Sequence, residues 1–418
     1  MKKFCTGLLC AALVLSLAGC AESTTGTVTN STTASTQNAV ADSTVASTDE
    51  AVNTTTAAET TEEQTTQAEL APAEAAQSAA DELASFNGLD AGLYDLDHNL
   101  TYSWDELKSS GMLTVEAGSL KVVDQSIEGA LVISDEVTTI PENGVIGQLS
   151  YVVLPDSVTS IDSYGLCGCL RAVDIPDSVT DLGAALIWVD TLLWARLPAG
   201  LTEIHSGMFA HDTNLVTVIL PDAVTAIGTN AFLECYSLEN LSIPKTVTTI
   251  GDYAFIGCTF ADFSLPEGLE ELGDRAFEDC KGVTNVVIPA SLVTFPAAAF
   301  TNCDIESIRV AEDHPMYDSR EDCNAVIWTA QNDMIMCCKN TVIPESVTRI
   351  SCVFNTGDEL TSLTIPGKVT YINKNLVANS QIKTIYVYDE DTQQVVADAL
   401  AKESDNADVE VILVGAGE

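Results

Sequence analysis

The sequence predicts a β-rich solenoid, in which stacked coils each give one strand to a parallel sheet and return through extended or short helical arms, with small α/β caps at both ends. Three regularities carry that expectation. Proline recurs at Pro155, Pro176, Pro198, Pro221, Pro244, Pro266 and Pro289, at intervals of 21 to 23 residues, and again at Pro344 and Pro366. Each proline ends a short apolar run, as in Leu238-Glu239-Asn240-Leu241-Ser242-Ile243, where Leu238, Leu241 and Ile243 point inward while Glu239 and Ser242 point outward. Further round each coil a phenylalanine returns, at Phe209, Phe232, Phe255, Phe277 and Phe300, so stacked coils would align these rings as an internal spine. A fixed period of this length marks an array whose units bury one long core between neighbours.

Residues 1–19 read as a leader: Lys2 and Lys3 supply positive charge, Phe4 to Ser16 an apolar run, and Leu17-Ala18-Gly19 a small-residue end before Cys20. The ending resembles the lipobox of bacterial lipoproteins, in which the cysteine thiol receives diacylglycerol and becomes the new N-terminus. Ordinary cleavage, leaving Cys20 a free thiol, is the alternative. Two acyl chains at ~0.8 kcal/mol per buried methylene would hold the protein on a membrane without a span. No other stretch approaches the roughly 18 uninterrupted apolar residues that a span needs. Residues 20–80 are rich in Thr, Ser, Ala and Glu, and from 21 onward carry one proline, no aromatic residue and no Lys or Arg. Such a segment buries too little apolar surface to order itself and is expected to serve as a disordered tether.

Residues 81–128 break the repeat phase but hold Tyr94, Tyr102, Trp104 and Leu107, and are expected to form an N-terminal cap. Ser103-Trp104-Asp105-Glu106 has the form of a capping box, with Gly111 placed to end a short helix. A helix over the first coil would shield its open strand edge. The coils proper span 129–388. Pro289 to Pro344 is too long for two coils, and its excess holds His314-Pro315-Met316-Tyr317-Asp318 and two apolar runs, Ala325 to Trp328 and Met334 to Cys337. A β-hairpin inserted near 311–340 accounts for it. Residues 389–418 form the second cap, with a helix from Thr392 to Lys402 and a strand from Val409 to Val414.

These units resemble the BspA-like leucine-rich repeats, whose copies run like Leu215-Val216-Thr217-Val218-Ile219-Leu220-Pro221, then Ile227-Gly228, then Ala231-Phe232-Leu233-Glu234-Cys235. The hairpin's His-Pro-Met-Tyr entry looks like the family's commoner Asn-Pro-x-Tyr entry. The resemblance implies a leucine-rich-repeat solenoid on a surface-exposed protein that engages host, matrix or other cells through its repeats; it supplies no catalytic residues. Several coils depart from the pattern. Leu166, Leu186 and Leu376 replace the spine phenylalanine, and Val189, Asp212 and Gly357 replace the cysteine.

The chain carries 61 Asp and Glu against 17 Lys and Arg, a net charge of −44, which disfavours nucleic acid and anionic lipid as partners. Cys235, Cys258, Cys280 and Cys303 stand one repeat apart. In-register stacking sets their Cβ atoms ~4.8 Å apart, beyond the ~3.5 to 4.5 Å that disulfides favour, so buried free thiols are preferred over a disulfide ladder. Cys167-Gly168-Cys169 and Cys337-Cys338 lack a second pair at zinc-ligand spacing, and no metal or cofactor is expected. His98, His205, His211 and His314 have no nucleophile placed beside them by local spacing and are expected in exposed loops; no catalytic constellation emerges.

What remains is a binding surface. Outward strand positions tile one face, among them Tyr151, Trp194, Arg196 and Ile219, with Trp188 in a nearby loop. Trp and Arg are the side chains enriched at interface hot spots. These five are the candidate ligand-binding residues, with packing of Trp194 against the N-terminal cap as the alternative. The function expected is protein–protein binding by a lipid-anchored, extracytoplasmic, non-enzymatic protein of a bacterial surface, in adhesion or recognition. An envelope scaffold binding a component of the same cell is the runner-up.

Overall fold

A computed structural model describes residues 70–184, 191–354, 360–378, 380–402 and 408–414. Leu17 to Cys20, Leu186, Trp188, Val189 and Gly357 lie outside the described residues.

The coils form a β-solenoid of about 13 turns with parallel strands. Each coil turns through three arms. The first arm, which precedes the proline, builds a parallel sheet from Glu128–Val132, Gln148–Val153, Ala172–Asp174, Trp194–Arg196 and Thr217–Ile219, with register such as Trp194 opposite Ala172 and Thr217. The second arm supplies two-residue strands, Glu203–Ile204, Ala226–Ile227, Thr249–Ile250 and Glu271–Leu272, again parallel and in register. Glycine follows here because the coils touch: a Cβ on Gly251 would lie 2.6 Å from the backbone nitrogen of Thr229.

The third arm carries the spine. Phe209, Phe232, Phe255 and Phe277 donate their amides to Ala231, Ala254, Ala276 and Ala299 of the next coil at 2.8–2.9 Å. Their rings, with Phe300, stack at 5.1–5.3 Å within 12° of parallel, only slightly longer than the ~4.8 Å coil rise. The cysteines do more than fill space. The thiols of Cys235, Cys258, Cys280 and Cys303 donate to the carbonyls of Phe209, Phe232, Phe255 and Phe277, one coil earlier, at 3.0–3.2 Å. All are free thiols, and burial pushes Cys235, Cys258 and Cys280 well above the ordinary thiol value.

Three features differ from the sequence expectation. The first is the core inside the solenoid, which is two clusters rather than one, with a third lying under the N-terminal helix. The inserted strands Ala325–Trp328 and Asp333–Cys337 pair antiparallel and stand across the solenoid as a partition. Val326 and its cross-strand partner Met336 face the larger cluster, whereas Ala325, Ile327 and the latter's partner Met334 face the C-terminal one; a register shift at Val326/Ile327 lets Met334 and Met336, two residues apart, point to opposite faces. The second is His314, expected in an exposed loop but buried: its Nε2 meets the carbonyl of Leu292 at 3.0 Å and its Nδ1 accepts the amides of Met316 and Tyr317, each at 3.2 Å. That tight entry to the insertion needs an acceptor inside it.

The third is at the N-terminal side. A helix, α1 (Pro72–Ser85), begins inside the segment read as a tether through residue 80. Pro72 sits in its first turn, where the missing N–H costs nothing, and Ala76, Ala79 and Leu83 are buried. Four apolar positions at helical spacing, completed by Phe86, suffice because they dock on a ready-made surface. The rest of the cap holds α2 (Trp104–Ser109), whose box forms as the amide of Ser103 donates to the Glu106 carboxylate at 2.8 Å. Gly92–Tyr94 and Leu100–Ser103 then extend the first sheet with antiparallel pairing, so the first coil's strand is not left as its edge. At the other end α3 (Glu390–Leu400) is N-capped by Asp389, and Glu410–Leu413 adds a last parallel strand to Thr384–Val387.

Candidate binding face

The outward face of the first arm divides into a covered and an uncovered part. Over the first coils α1 lies on the strands Gln148–Val153, Ala172–Asp174 and Trp194–Arg196. Ala79, Leu83 and Phe86 pack there with Tyr94, Ala130, Val132, Tyr151 and Ala172, and Trp194 joins the edge of this cluster half-buried. Phe86 anchors the cap: its ring stacks on His98 at 4.3 Å and tilts against Tyr151 at 5.9 Å, and His98 meets the Ser85 hydroxyl at 2.6 Å.

The five candidate residues therefore separate. Tyr151 points outward from its strand as expected, but only 1% of it is exposed, because the helix covers it; the expectation that it faces a ligand is corrected. Desolvation raises its phenol pKa, partly offset by Arg171. For Trp194 the alternative of packing against the N-terminal cap is the arrangement observed. Arg196 is half-buried between two carboxylates, Asp174 on the neighbouring strand and Asp177, the latter at 3.2 Å. Ile219 is 45% exposed just beyond the helix. Trp188 lies outside the described residues, so its part in a ligand-binding face stays an expectation.

The uncovered face runs on through Asn240, Ser242, Asp262 and Ser264 to Val287, 56% exposed, and Arg309. A depression of about 420 Å³ opens there, lined by Thr217–Leu220, Glu239–Ile243 and Phe260–Ser264. A second, of about 610 Å³, lies between the turn at Thr301–Ile305 and the hairpin strand Asp333–Cys337, and is lined in part by Cys303, Cys337, Cys338 and Cys352. The first was hard to see by side-chain typing, because most of its lining residues are of the types usual at these repeat positions. Only the two phenylalanines in slots that hold leucine in the preceding coil, Phe260 and Phe263, marked it.

Among the described residues, no group of three or more His, Cys, Asp and Glu side chains is placed to hold a metal ion. Nor is any helix among them long and apolar enough to cross a membrane. His205 and His211 sit beside Glu203 and Glu234, at 3.8 and 2.9 Å.

A family model described as BspA type leucine rich repeat region matches in 6 copies, over residues 138–261, 202–317 and 333–405. Among solved structures the chain is similar to a leucine-rich repeat protein from Eubacterium ventriosum, at 21% identity and TM-score 0.39, over 48% of this chain and 61% of that one. It is also similar to a leucine rich cell surface protein from Faecalibacterium prausnitzii, at 24% identity and TM-score 0.29, over 45% and 60%. A leucine-rich repeat protein from Bacteroides ovatus aligns at 17% identity and TM-score 0.42, over 68% and 76%. The chain spans 61% and 60% of the length of the first two of these. No curated protein matches it.

Proposed function

The chain belongs to the BspA-type leucine-rich-repeat family, and from that premise we propose that its solenoid is a non-enzymatic binding surface for another protein, displayed outside a bacterial cell in adhesion or recognition. The observation that supports this most directly is the uncovered part of the first-arm face, where Ile219, Val287 and Arg309 stand exposed among small polar residues on a rigid array. Apolar residues rimmed by polar ones on a stiff surface are the ordinary makings of a protein contact. The net charge of −44 favours partners with basic patches and speaks against nucleic acid. In this reading Cys20 carries the lipid and the segment after it holds the solenoid away from the membrane.

The test has two parts. Full-length protein is exposed to matrix proteins and, separately, to lysate of the producing cell, each at low and high salt. Saturable capture of a matrix protein is the expected result, whereas capture of a self-derived envelope component alone replaces adhesion with a scaffold role. Metabolic labelling with a fatty acid tests the anchor: label on the wild type that persists in Cys20→Ala removes Cys20 from the proposal.

A further inference from the structure

We infer that the interrupted stretch of the first-arm sheet, between the coil at 239–243 and the coil at 260–265, is a slot for an extended, cationic peptide segment of the partner. The inference rests on the protein-binding reading above and names the chemistry of what is bound. Its starting point is a break in hydrogen bonding. The first-arm sheet pairs in register as far as Thr217–Ile219 and resumes at Asn285–Ile288 with Ser307–Val310. In the two coils between, the arm forms no strand; the ladder persists only at its start, in the isolated bridges Thr217 with Asn240 and Thr259 with Lys281 and in bonds such as the Ala261 amide to the Glu239 carbonyl at 3.1 Å. Among the described residues, the main-chain groups of Leu241, Ser242, Ile243 and of Asp262 to Leu265 make no hydrogen bond.

The break is confined to this arm. The second arm of the same coils stays paired from Glu203–Ile204 to Glu271–Leu272, and the spine amides bond throughout. Its cause is side-chain volume. Where the preceding coil places Leu238 and Leu241 inward, this one places Phe260 and Phe263. The two rings meet edge-on at 5.4 Å, and Phe263 reaches past its own layer to Phe277 at 5.1 Å and Phe300 at 6.1 Å. A ring pair where leucines fit props the later part of one arm off its neighbours, and there the coils are held by the start of that arm and by their other two sides.

The gap is the depression of about 420 Å³, within the ~300–1,000 Å³ common for ligand sites. Phe260 and Phe263 line it, with the unpaired main chain on either side. Extended backbone with free donors and acceptors is the template to which a further strand adds. The sign of the occupant follows from charge. Glu239 and Asp262 stand at the rim, and the molecule is acidic overall. Residues 4–69 of the chain contain no Lys or Arg, and a second copy would bring the same −44, so neither complements the slot. A segment of another protein with Lys or Arg at alternate positions does: its backbone meets the open arms and its cations meet the two carboxylates.

The experiment uses the full chain and three labelled hexapeptides: alternating Lys-Val, alternating Glu-Val, and Lys-Val with two central residues replaced by proline. Fluorescence anisotropy should show saturable binding of the first, at least tenfold weaker binding of the other two, and weakening at 0.5 M salt, as an approximate screening range. Glu239→Gln combined with Asp262→Asn should lower affinity for the Lys-Val peptide about tenfold with an unchanged melting curve. Phe263→Leu should close the slot; hydrogen exchange then shows whether it folds, since amides 241–243 and 262–265 exchange fast in the wild type and gain protection in the variant. Equal binding of all three peptides, affinity untouched by both variants, protected wild-type amides at these positions, or occupation by self-association in sedimentation would each overturn the inference. If a protein partner is captured equally by wild type and Glu239→Gln/Asp262→Asn, the slot fails and the protein-binding reading stands. If the wild type captures no protein, that reading fails whatever the peptides do.

Discussion

The coils at 128–220 and those at 239–300 are cut from one template yet hold themselves together differently. The first group has an intact first-arm sheet with α1 docked on it, but its third arm carries Leu166 where later coils carry phenylalanine. The second group has the stacked rings of Phe255, Phe277 and Phe300 and the thiol-to-carbonyl bonds of Cys258 and Cys280, but loses strand pairing on one arm between 241 and 265. A solenoid coil therefore needs only enough of its three arms tied to its neighbours, and what one arm gives up another supplies. The free arm is then available for binding, while the tied arms keep register.

The largest expected effect breaks the second group. Phe255 is fully buried, stacks on Phe232 and Phe277, and touches Phe260 edge-on at 5.7 Å. Phe255→Ala should cost ~3–5 kcal/mol in urea unfolding, because the neighbours cannot collapse onto the space while the other arms fix the coil spacing. Leu166→Ala, in the same slot of a coil that keeps its sheet, should cost about 2–3 kcal/mol. Equal costs would mean that the spine does not carry the central coils.

Next in size is the lid on the first group. Leu83→Ala removes a side chain that is 3% exposed between α1 and the sheet, and should cost about 2 kcal/mol while leaving the solenoid folded. Hydroxyl-radical footprinting should then find Tyr151 newly reactive. Unchanged protection of Tyr151 would show that something other than α1 covers it. Trp194→Ala belongs to the same test, since its indole packs on this cluster and its loss should lower the melting temperature.

The cysteine ladder comes third. Cys258→Val fills the space but leaves the Phe232 carbonyl with the Cys235 amide, at 3.3 Å, as its remaining donor and should cost ~0.5–1.5 kcal/mol; Cys258→Ser, which keeps a donor, should recover part of it. In the folded protein Cys235, Cys258 and Cys280 should resist alkylation at mildly alkaline pH, because burial holds their thiols protonated.

How much of this could be read from the chain follows from what repetition reveals. Prolines, inward leucines and spine phenylalanines recur, so their roles emerge by superposing copies, and the stacked rings lie where their spacing placed them. Features that occur once have no copies to average. Helix α1 hid in a Thr-, Ala- and Glu-rich tract because it needs no strong hydrophobic face of its own when a surface awaits it. The hairpin's position was legible, but its division of the core was not, since that depends on which strand faces meet which coils. At the candidate site, outward direction was legible and exposure was not: Tyr151 points outward and is covered, and nothing local to residue 151 says so. The slot sits where two residues break the repeat, so departures from the template carried more about function than agreement with it.

The smallest expected effect concerns the entry to the insertion, where the two cores part. His314 is held in its neutral form by geometry: Nε2 donates to the Leu292 carbonyl, and Nδ1 accepts two amides, so a proton on Nδ1 would face two donors. Burial lowers its pKa below the ordinary 6.5, opposed in part by the Leu292 carbonyl. A histidine whose folded value is depressed contributes stability in full above the unfolded value, and that contribution is lost as pH falls from 6.5 toward the folded value. Melting temperature measured between about pH 7 and pH 5.5 should therefore fall in the wild type. In His314→Asn, whose side-chain oxygen can accept the same amides without titrating, the curve should be flatter. The pairwise comparison cancels the background of the many carboxylates, which both proteins share. Parallel curves for the two would return His314 to the role of a passive core residue and leave the partition between the cores insensitive to acid.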